Sequence, residues 1–266
     1  MKAMAGEPGQ GHPALEALTV DLWYTLIFPS PSARAAIETA RLAVWVDGLR
    51  AAGCSSRRAE TWATQIERSA EVDELSGWSP SWTERVERWS QRTGFTLDAA
   101  ELAGRFTESV PLDRVRIAPG ADRALRLLRR RGLRLAIVSN ATHEPPDAVR
   151  AVLAQHHLDR RFDTIVLSTD VGRAKPRREP FQRALADLST PPGSTVHIGD
   201  SPADFQGAIA AGIRPLLFTG LNRWKPERLR RAKAPWMRRV LKVDRWEEVP
   251  PMAAFFGSLP PLPGPA

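Results

Sequence analysis

Five short apolar runs punctuate the chain, at residues 15–22, 133–138, 164–167, 195–198 and 214–218, each bounded by Gly, Pro, Asp, Asn or Ser. Runs this short and this continuously apolar are what strands buried on both faces require. Helical patterns at 121–131, 145–157, 180–188 and 204–211 separate the five runs, one in each gap. Strands alternating with helices of this length build βαβ units, so the spacing predicts an α/β fold with a parallel sheet between two helical layers. Sheets of this kind bind ligands beyond the carboxyl ends of their strands. The loops that begin at Asp21, Ser139, Ser168 and Gly199 are therefore where chemistry is expected.

Residues 30–113 interrupt this rhythm. They contain no strand-like run and read as four helices near 32–52, 57–75, 80–93 and 98–109, with turn chemistry at the breaks. Tryptophans 45, 62, 78, 82 and 89 fall here and are expected to pack as the core of an all-helical insert. An insert directly after the first strand has the position of a cap over the sheet. The expected division is a Rossmann-like core from 14–29 and 114–256, a helical cap from 30–113, and flexible tails at 1–13 and 257–266. A last strand and helix are expected at 240–243 and 245–256.

Composition narrows the class. No stretch approaches about 18 uncharged apolar residues, which argues against a spanning helix and a membrane partner. Met1–Pro13 has no apolar core of the signal-peptide type, and Cys54 alone allows no internal disulfide, so a cytoplasmic protein is expected. The net charge is +8 and the isoelectric point about 10.6, yet the arginines are scattered. Even the basic stretch 223–242 reads as a solvated helix and connector rather than a nucleic-acid arm. Oligomeric state is not legible.

Four groups of reactive type sit at strand ends, in order. Asp21 and Thr25 lie in TVDLWYTL, Ser139 and Asn140 end LRLAIVSN, Lys175 occurs in GRAKPRREPF, and Asp200 and Asp204 lie in HIGDSPADFQGAIAAG. Carboxylates gathered at one site repel an anionic ligand unless a cation and an ammonium reverse the local field. Lys175 is informative because the chain uses lysine only five times and arginine nearly everywhere else. A compact point charge suits a place that a planar guanidinium does not fit.

With these residues in view, the chain resembles the haloacid dehalogenase superfamily, in the subfamily with a helical cap after the first motif. The resemblance covers about residues 15–256, and GDSPADFQGAIAAG is its most specific string. It implies that Asp21 is the nucleophile, that Ser139 hydrogen-bonds the transferred group, and that Lys175 neutralises nucleophile and substrate. It also implies that Asp200, with Asp204 in support, holds Mg²⁺ together with Asp21 and the backbone carbonyl of Trp23. The implied activity is Mg²⁺-dependent hydrolysis of a small phosphorylated metabolite through an aspartyl-phosphate.

One position departs from the pattern. Phosphatases of the superfamily place a general acid two residues after the nucleophile, and here that residue is Trp23, whose indole exchanges no proton at neutral pH. Its dehalogenases carry an aromatic residue there but lack the acidic fourth motif. A dehalogenase-type C–X hydrolase and a catalytically weak relative with a binding role are therefore the alternatives. Tyr24 stands where Gly is common, so Trp23, Tyr24 and Asn140 are expected to border the substrate. Thr25 is expected to buttress the loop, Gly199 to provide a sharp turn, and His197 to be a satisfied core histidine. His143 and Glu144 are expected at an exposed helix cap.

Overall fold

The computed structural model describes residues 15–109, 111, 114–221 and 241–256. Six strands form one sheet: β1 (Ala17–Val20), β4 (Arg134–Ser139), β5 (Thr164–Leu167), β6 (Thr195–Gly199), β7 (Arg214–Phe218) and β8 (Lys242–Val243). Their order is β5-β4-β1-β6-β7-β8, and every pairing is parallel. All five apolar runs became strands because both faces of the sheet are covered. Leu18, Val20, Leu135 and Ile137 face one apolar cluster, shared with α5 (Ala121–Arg130), α6 (Pro146–Gln155) and α10 (Val249–Phe256). Ala17, Ala136 and Val138 face the other, shared with α8 (Glu179–Leu188) and α9 (Pro202–Ala210). The architecture is the expected three-layer α/β core.

Four helices are inserted after the first strand: α1 (Pro31–Ala51), α2 (Ser56–Ser76), α3 (Trp82–Thr93) and α4 (Ala99–Ser109). Local chemistry sets their ends. Ser30 caps α1 by accepting the Ala33 N–H at 3.2 Å, with Pro31 in the first turn. Ser81 and Glu84 form a reciprocal capping box on α3. Trp45, Trp82, Trp89 and Phe106 are buried together, Trp45 and Trp82 with ring centroids 5.3 Å apart. Each such ring contributes on the order of 1.5–3 kcal/mol by leaving water. Trp62 packs edge-on against Trp89. Trp78 departs from the expectation, for it lies 38% exposed under the Arg88 guanidinium. The apolar interior of the insert is continuous with that of the sheet domain.

Several short elements escaped the sequence reading. The insert is framed by an antiparallel pair, β2 (Ile27–Pro29) and β3 (Val115–Ile117), too brief to show alternation. A single helical turn, α7 (Ser168–Val171), follows β5. The segment 245–256 is split into a 3-10 turn at Trp246–Glu248 and then α10. The basic stretch lies outside the described residues except for Lys242, and so do both terminal tails. Among the described residues, no helix is long and apolar enough to cross a membrane.

Candidate active site

Strand order assembles the site. β4, β1 and β6 are neighbours, with Val20 level with Ile137 on one side and Ile198 on the other. Asp21, Ser139 and Asp200 therefore emerge side by side at the carboxyl edge. The Asp21 N–H still donates to the Ile198 carbonyl at 2.9 Å, so the sheet fixes its backbone. Asp21, Ser139, Lys175, Asp200 and Asp204 are all buried. Lys175 arrives from the loop between α7 and α8. Its Nζ donates to Asp21 Oδ1 at 2.6 Å, Asp204 Oδ1 at 2.6 Å and the Val138 carbonyl at 2.9 Å, using all three ammonium protons.

Asp204 is held from every side. Its Oδ1 also faces His197 Nε2 at 3.2 Å, and its Oδ2 accepts from the Ser201 N–H at 3.0 Å and the Ser201 hydroxyl at 2.6 Å. His197 is the satisfied core residue expected, with Thr19 Oγ1 2.9 Å from Nδ1 and Phe181 edge-on at 4.8 Å. Burial holds its imidazole below the ordinary range. A neutral ring that accepts from Thr19 and donates from Nε2 to Asp204 meets both contacts.

Burial works against the ionised form of Asp204, but Lys175 and then His197 outweigh it and hold the carboxyl well below the usual range. Asp21 moves the other way. Burial, reinforced by the Asp204 carboxylate, pushes it up to about 6 despite the adjacent ammonium. Burial alone lowers the Lys175 ammonium, and the two carboxylates more than reverse this. The direction at Asp21 reports its burial first and the neighbouring carboxylate second. Three carboxylates are buried with oxygens within 4.8 Å of one another, and Lys175 bonds two of them. Hard oxygen donors with surplus negative charge fit a divalent cation such as Mg²⁺.

The residues flanking Asp21 form a tight loop, in which the Tyr24 N–H donates to the Ile27 carbonyl at 2.7 Å. Tyr24 has φ 61°, the left-handed region, which explains why glycine suits this place. A non-glycine residue there stores on the order of 1–2 kcal/mol of strain. Its hydroxyl faces Arg34 on α1. Trp23 is half-buried against the main apolar cluster. Thr25 is buried, and its hydroxyl faces Asp21 and favours the ionised carboxyl.

Asn140 shapes the backbone. Its Oδ1 accepts the Lys175 N–H at 2.9 Å, and its Nδ2 points to the Lys175 carbonyl at 3.3 Å and to Glu74 Oε1 at 3.1 Å. Both ends of the amide are thus engaged by protein groups. His143 and Glu144 are not an exposed cap. They are largely buried between the two parts of the chain, His143 Nδ1 lying 3.0 Å from Glu67 and Glu144 accepting from Arg41 at 3.1 Å. Gly199 is required for a reason other than a turn. A Cβ there would lie 2.3 Å from Asp204 Cγ, and Asp204 has no freedom to move. Gly199→Ala is therefore expected to cost about 1–3 kcal/mol by overpacking. Urea unfolding checks this, with a lower midpoint and an unchanged slope.

A parallel sheet with reactive carboxylates at the ends of adjacent strands and a helical insert above them defines a class of hydrolase. The haloacid dehalogenase-like hydrolase family profile matches residues 15–212. The chain belongs to this family. It is 30% identical over 237 residues to a phosphoserine phosphatase of Thermus thermophilus, covering 80% of this chain and 92% of that one. It is also 35% identical over 130 residues to a phosphoglycolate phosphatase of Cereibacter sphaeroides, covering 48% of this chain and 57% of the relative. Among solved structures, a HAD phosphatase of Thermococcus onnurineus aligns with TM-score 0.59 at 20% identity, over 89% of this chain and 97% of that one. A subfamily IA HAD hydrolase of Geobacter sulfurreducens aligns with TM-score 0.52 at 20% identity, over 90% and 100%. These structures support the fold, cap included.

Proposed function

We propose that the chain is a Mg²⁺-dependent phosphohydrolase of small phosphorylated metabolites, with Asp21 as nucleophile. The observation that carries this reading is the buried set of Asp21, Asp200 and Asp204, with Lys175 bonded to the first and last of them. Phosphatase relatives at 30–35% identity support the substrate class. Asp21, Asp200 and the Trp23 carbonyl are the groups that would hold the ion. Asp204, with both oxygens committed, serves the site through Lys175. The bound ion would supply charge neutralisation for an incoming phosphoryl group.

The chain's own residues supply the rest. An Asp21 oxygen forms a bond to phosphorus while the bond to the leaving oxygen breaks, giving an aspartyl-phosphate. Ser139 and Lys175 would meet the phosphoryl oxygens as charge builds on them, Lys175 by turning part of its ammonium from the protein oxygens to the substrate. Water then cleaves the acyl phosphate and regenerates the carboxylate. No side chain at position 23 protonates the leaving oxygen, so it departs as an anion. Acyl and aryl phosphates are expected to react and alkyl phosphates hardly at all.

The test is a plot of log rate against leaving-group pKa for wild type and Trp23→Asp, each with and without Mg²⁺. A steep slope is expected for wild type. Trp23→Asp is expected to flatten it and speed alkyl esters by up to about 10²-fold. Equal shallow slopes would show that another group already donates the proton. Trp23 also favours a second reading, displacement of halide from a 2-haloacid, because halide needs no proton. Halide release independent of Mg²⁺, without phosphate release, would establish it in place of the first.

A further inference from the structure

The cap reaches the loop that carries Lys175. At the end of α2, Glu74 accepts from Asn140 Nδ2 at 3.1 Å through Oε1 and from the Thr142 hydroxyl at 2.6 Å through Oε2. Asn140 in turn brackets the backbone of Lys175 with its two amide ends. Just beyond Glu74, the cap is stitched to the same loop by main chain. The Ala174 N–H donates to the Gly77 carbonyl at 3.1 Å, the Ser79 N–H points to the Gly172 carbonyl at 3.4 Å, and Trp78 and Arg173 form an antiparallel bridge. Buried Ser79 also donates its hydroxyl to Ser168 Oγ at 2.8 Å, and that oxygen accepts the Ala141 N–H at 3.0 Å. Gly77, at φ 77°, lets the chain leave α2 and run under the Arg177 side chain.

These contacts have a direction. An asparagine amide can lie either way round, and its neighbours decide which. With Glu74 in place, a flipped Asn140 would set its oxygen against a carboxylate and against the Lys175 carbonyl, two repulsive contacts. Glu74 thereby reinforces the orientation, already favoured by the Lys175 backbone, in which Asn140 accepts the Lys175 N–H. Buried Thr142 gives the carboxylate its second anchor in the core. Loops are the movable parts of such a sheet, and Lys175 must meet two carboxylates at 2.6 Å. A misplacement of about 1 Å at a reacting centre can cost about 10²-fold in rate.

We propose that Glu74 is a positioning residue of the cap that acts through Asn140 to set Lys175. With the Gly77–Ser79 bridge, it ties completion of the active site to docking of the cap. The ammonium is then fully held only while α2 is seated on the core. This rests on the reading of Lys175 as the cation that meets the phosphoryl group.

The test uses the full chain with Mg²⁺ and p-nitrophenyl phosphate, together with amide hydrogen exchange across residues 172–178. Glu74→Ala is expected to lower kcat/KM by about 10–100-fold. It is also expected to speed exchange at Ala174 and Lys175 by about tenfold or more, as local opening of the clasp requires. Glu74→Gln keeps an acceptor for Asn140 and a partner for Thr142, whose hydroxyl can rotate to accept. It is expected to restore both readouts to within about threefold. Ser79→Ala, which leaves Asn140 untouched, is expected to raise exchange at the same two amides. A change confined to thermal stability, with exchange at 174 and 175 unaltered in Glu74→Ala, would overturn the proposal. So would a Glu74→Gln variant as impaired as Glu74→Ala. If the wild type released no phosphate at all, the phosphatase reading would fall and exchange alone would decide on the clasp.

Discussion

Asp21→Asn is expected to abolish turnover and at the same time to make the metal-free protein more stable above neutral pH. The first effect follows because an amide oxygen does not displace an alkoxide from phosphorus, and no other carboxylate can take over. Asp204 is saturated with donors, and Asp200 lies just past the end of the neighbouring strand β6. The second effect follows from charge. The Asp21 carboxyl is pushed up to about 6 in the folded chain, from an ordinary 3.8, by burial and by Asp204. An acid whose pKa is raised by folding contributes nothing unfavourable below its unfolded value. It costs stability as pH climbs through the folded value, because the unfolded chain releases that proton more readily. The full cost is reached above about pH 7, and the difference in pKa corresponds to about 3 kcal/mol. Asn carries no such cost. Unfolding free energies from urea titrations in EDTA are expected to coincide near pH 4 and to differ by about 3 kcal/mol near pH 8, the variant being the more stable. Added Mg²⁺ is expected to raise the wild-type midpoint and leave that of Asp21→Asn nearly fixed. A variant less stable than wild type at pH 8 in EDTA would mean that the Lys175 pair outweighs burial and the neighbouring carboxylate at Asp21.

Such a trade of stability for a poised carboxylate explains why this part of the chain was the easiest to read. Strands buried on both faces must be apolar throughout, so a polar residue at their ends stands out, as Asp21, Ser139 and Asp200 do. The string from Gly199 to Gly212 was legible because nearly every residue in it has a steric or hydrogen-bonding reason. Asp204 both caps α9 and holds Lys175, and Gly199 makes room for it. The insert was legible through the turn chemistry at its breaks, where Gly77 and Gly94 end helices in the left-handed region.

What sequence did not disclose is contact between segments far apart. His143 and Glu144 carry no local mark of burial, because their partners Glu67 and Arg41 lie 76 and 103 residues away. Glu74 has the same character. On α2 it is one acid among several, and only the folded chain sets it against Asn140, 66 residues on. Trp78 misled for the opposite reason. A tryptophan among four that pack is read as a fifth, yet the turn after Gly77 carries it out of the cap interior and onto the loop that leads to Lys175. The strands β2 and β3 are three residues each, below the length at which alternation can be detected.

The other large effect belongs to Lys175→Met. Methionine fills much of the same volume, so the change isolates the charge. Removing one partner of a buried ion pair leaves the other uncompensated and costs about 3–5 kcal/mol. Here two carboxylates lose their cation, and the Val138 carbonyl loses its donor. Without the ammonium, both carboxyls are expected to take up protons more readily, so the deficit should be smallest near pH 4 and grow as pH rises. Urea unfolding in EDTA across that range checks the sign. Mg²⁺ is expected to return part of the loss, since it supplies positive charge to Asp21 from the other side. It is not expected to return the rate. A cation aimed at the charge that develops in the transition state is worth about 10²–10³-fold, and no other buried ammonium lies in the described residues. Lys175→Arg is expected to fail as well. The Lys175 head group sits within 2.9 Å of three oxygens in a space set by β1, β4 and α9, and a planar fork with five donors cannot adopt that convergence. If Lys175→Arg retained more than about a tenth of the rate, long-range charge would be sufficient, and the convergence of three oxygens on one nitrogen would matter to folding alone.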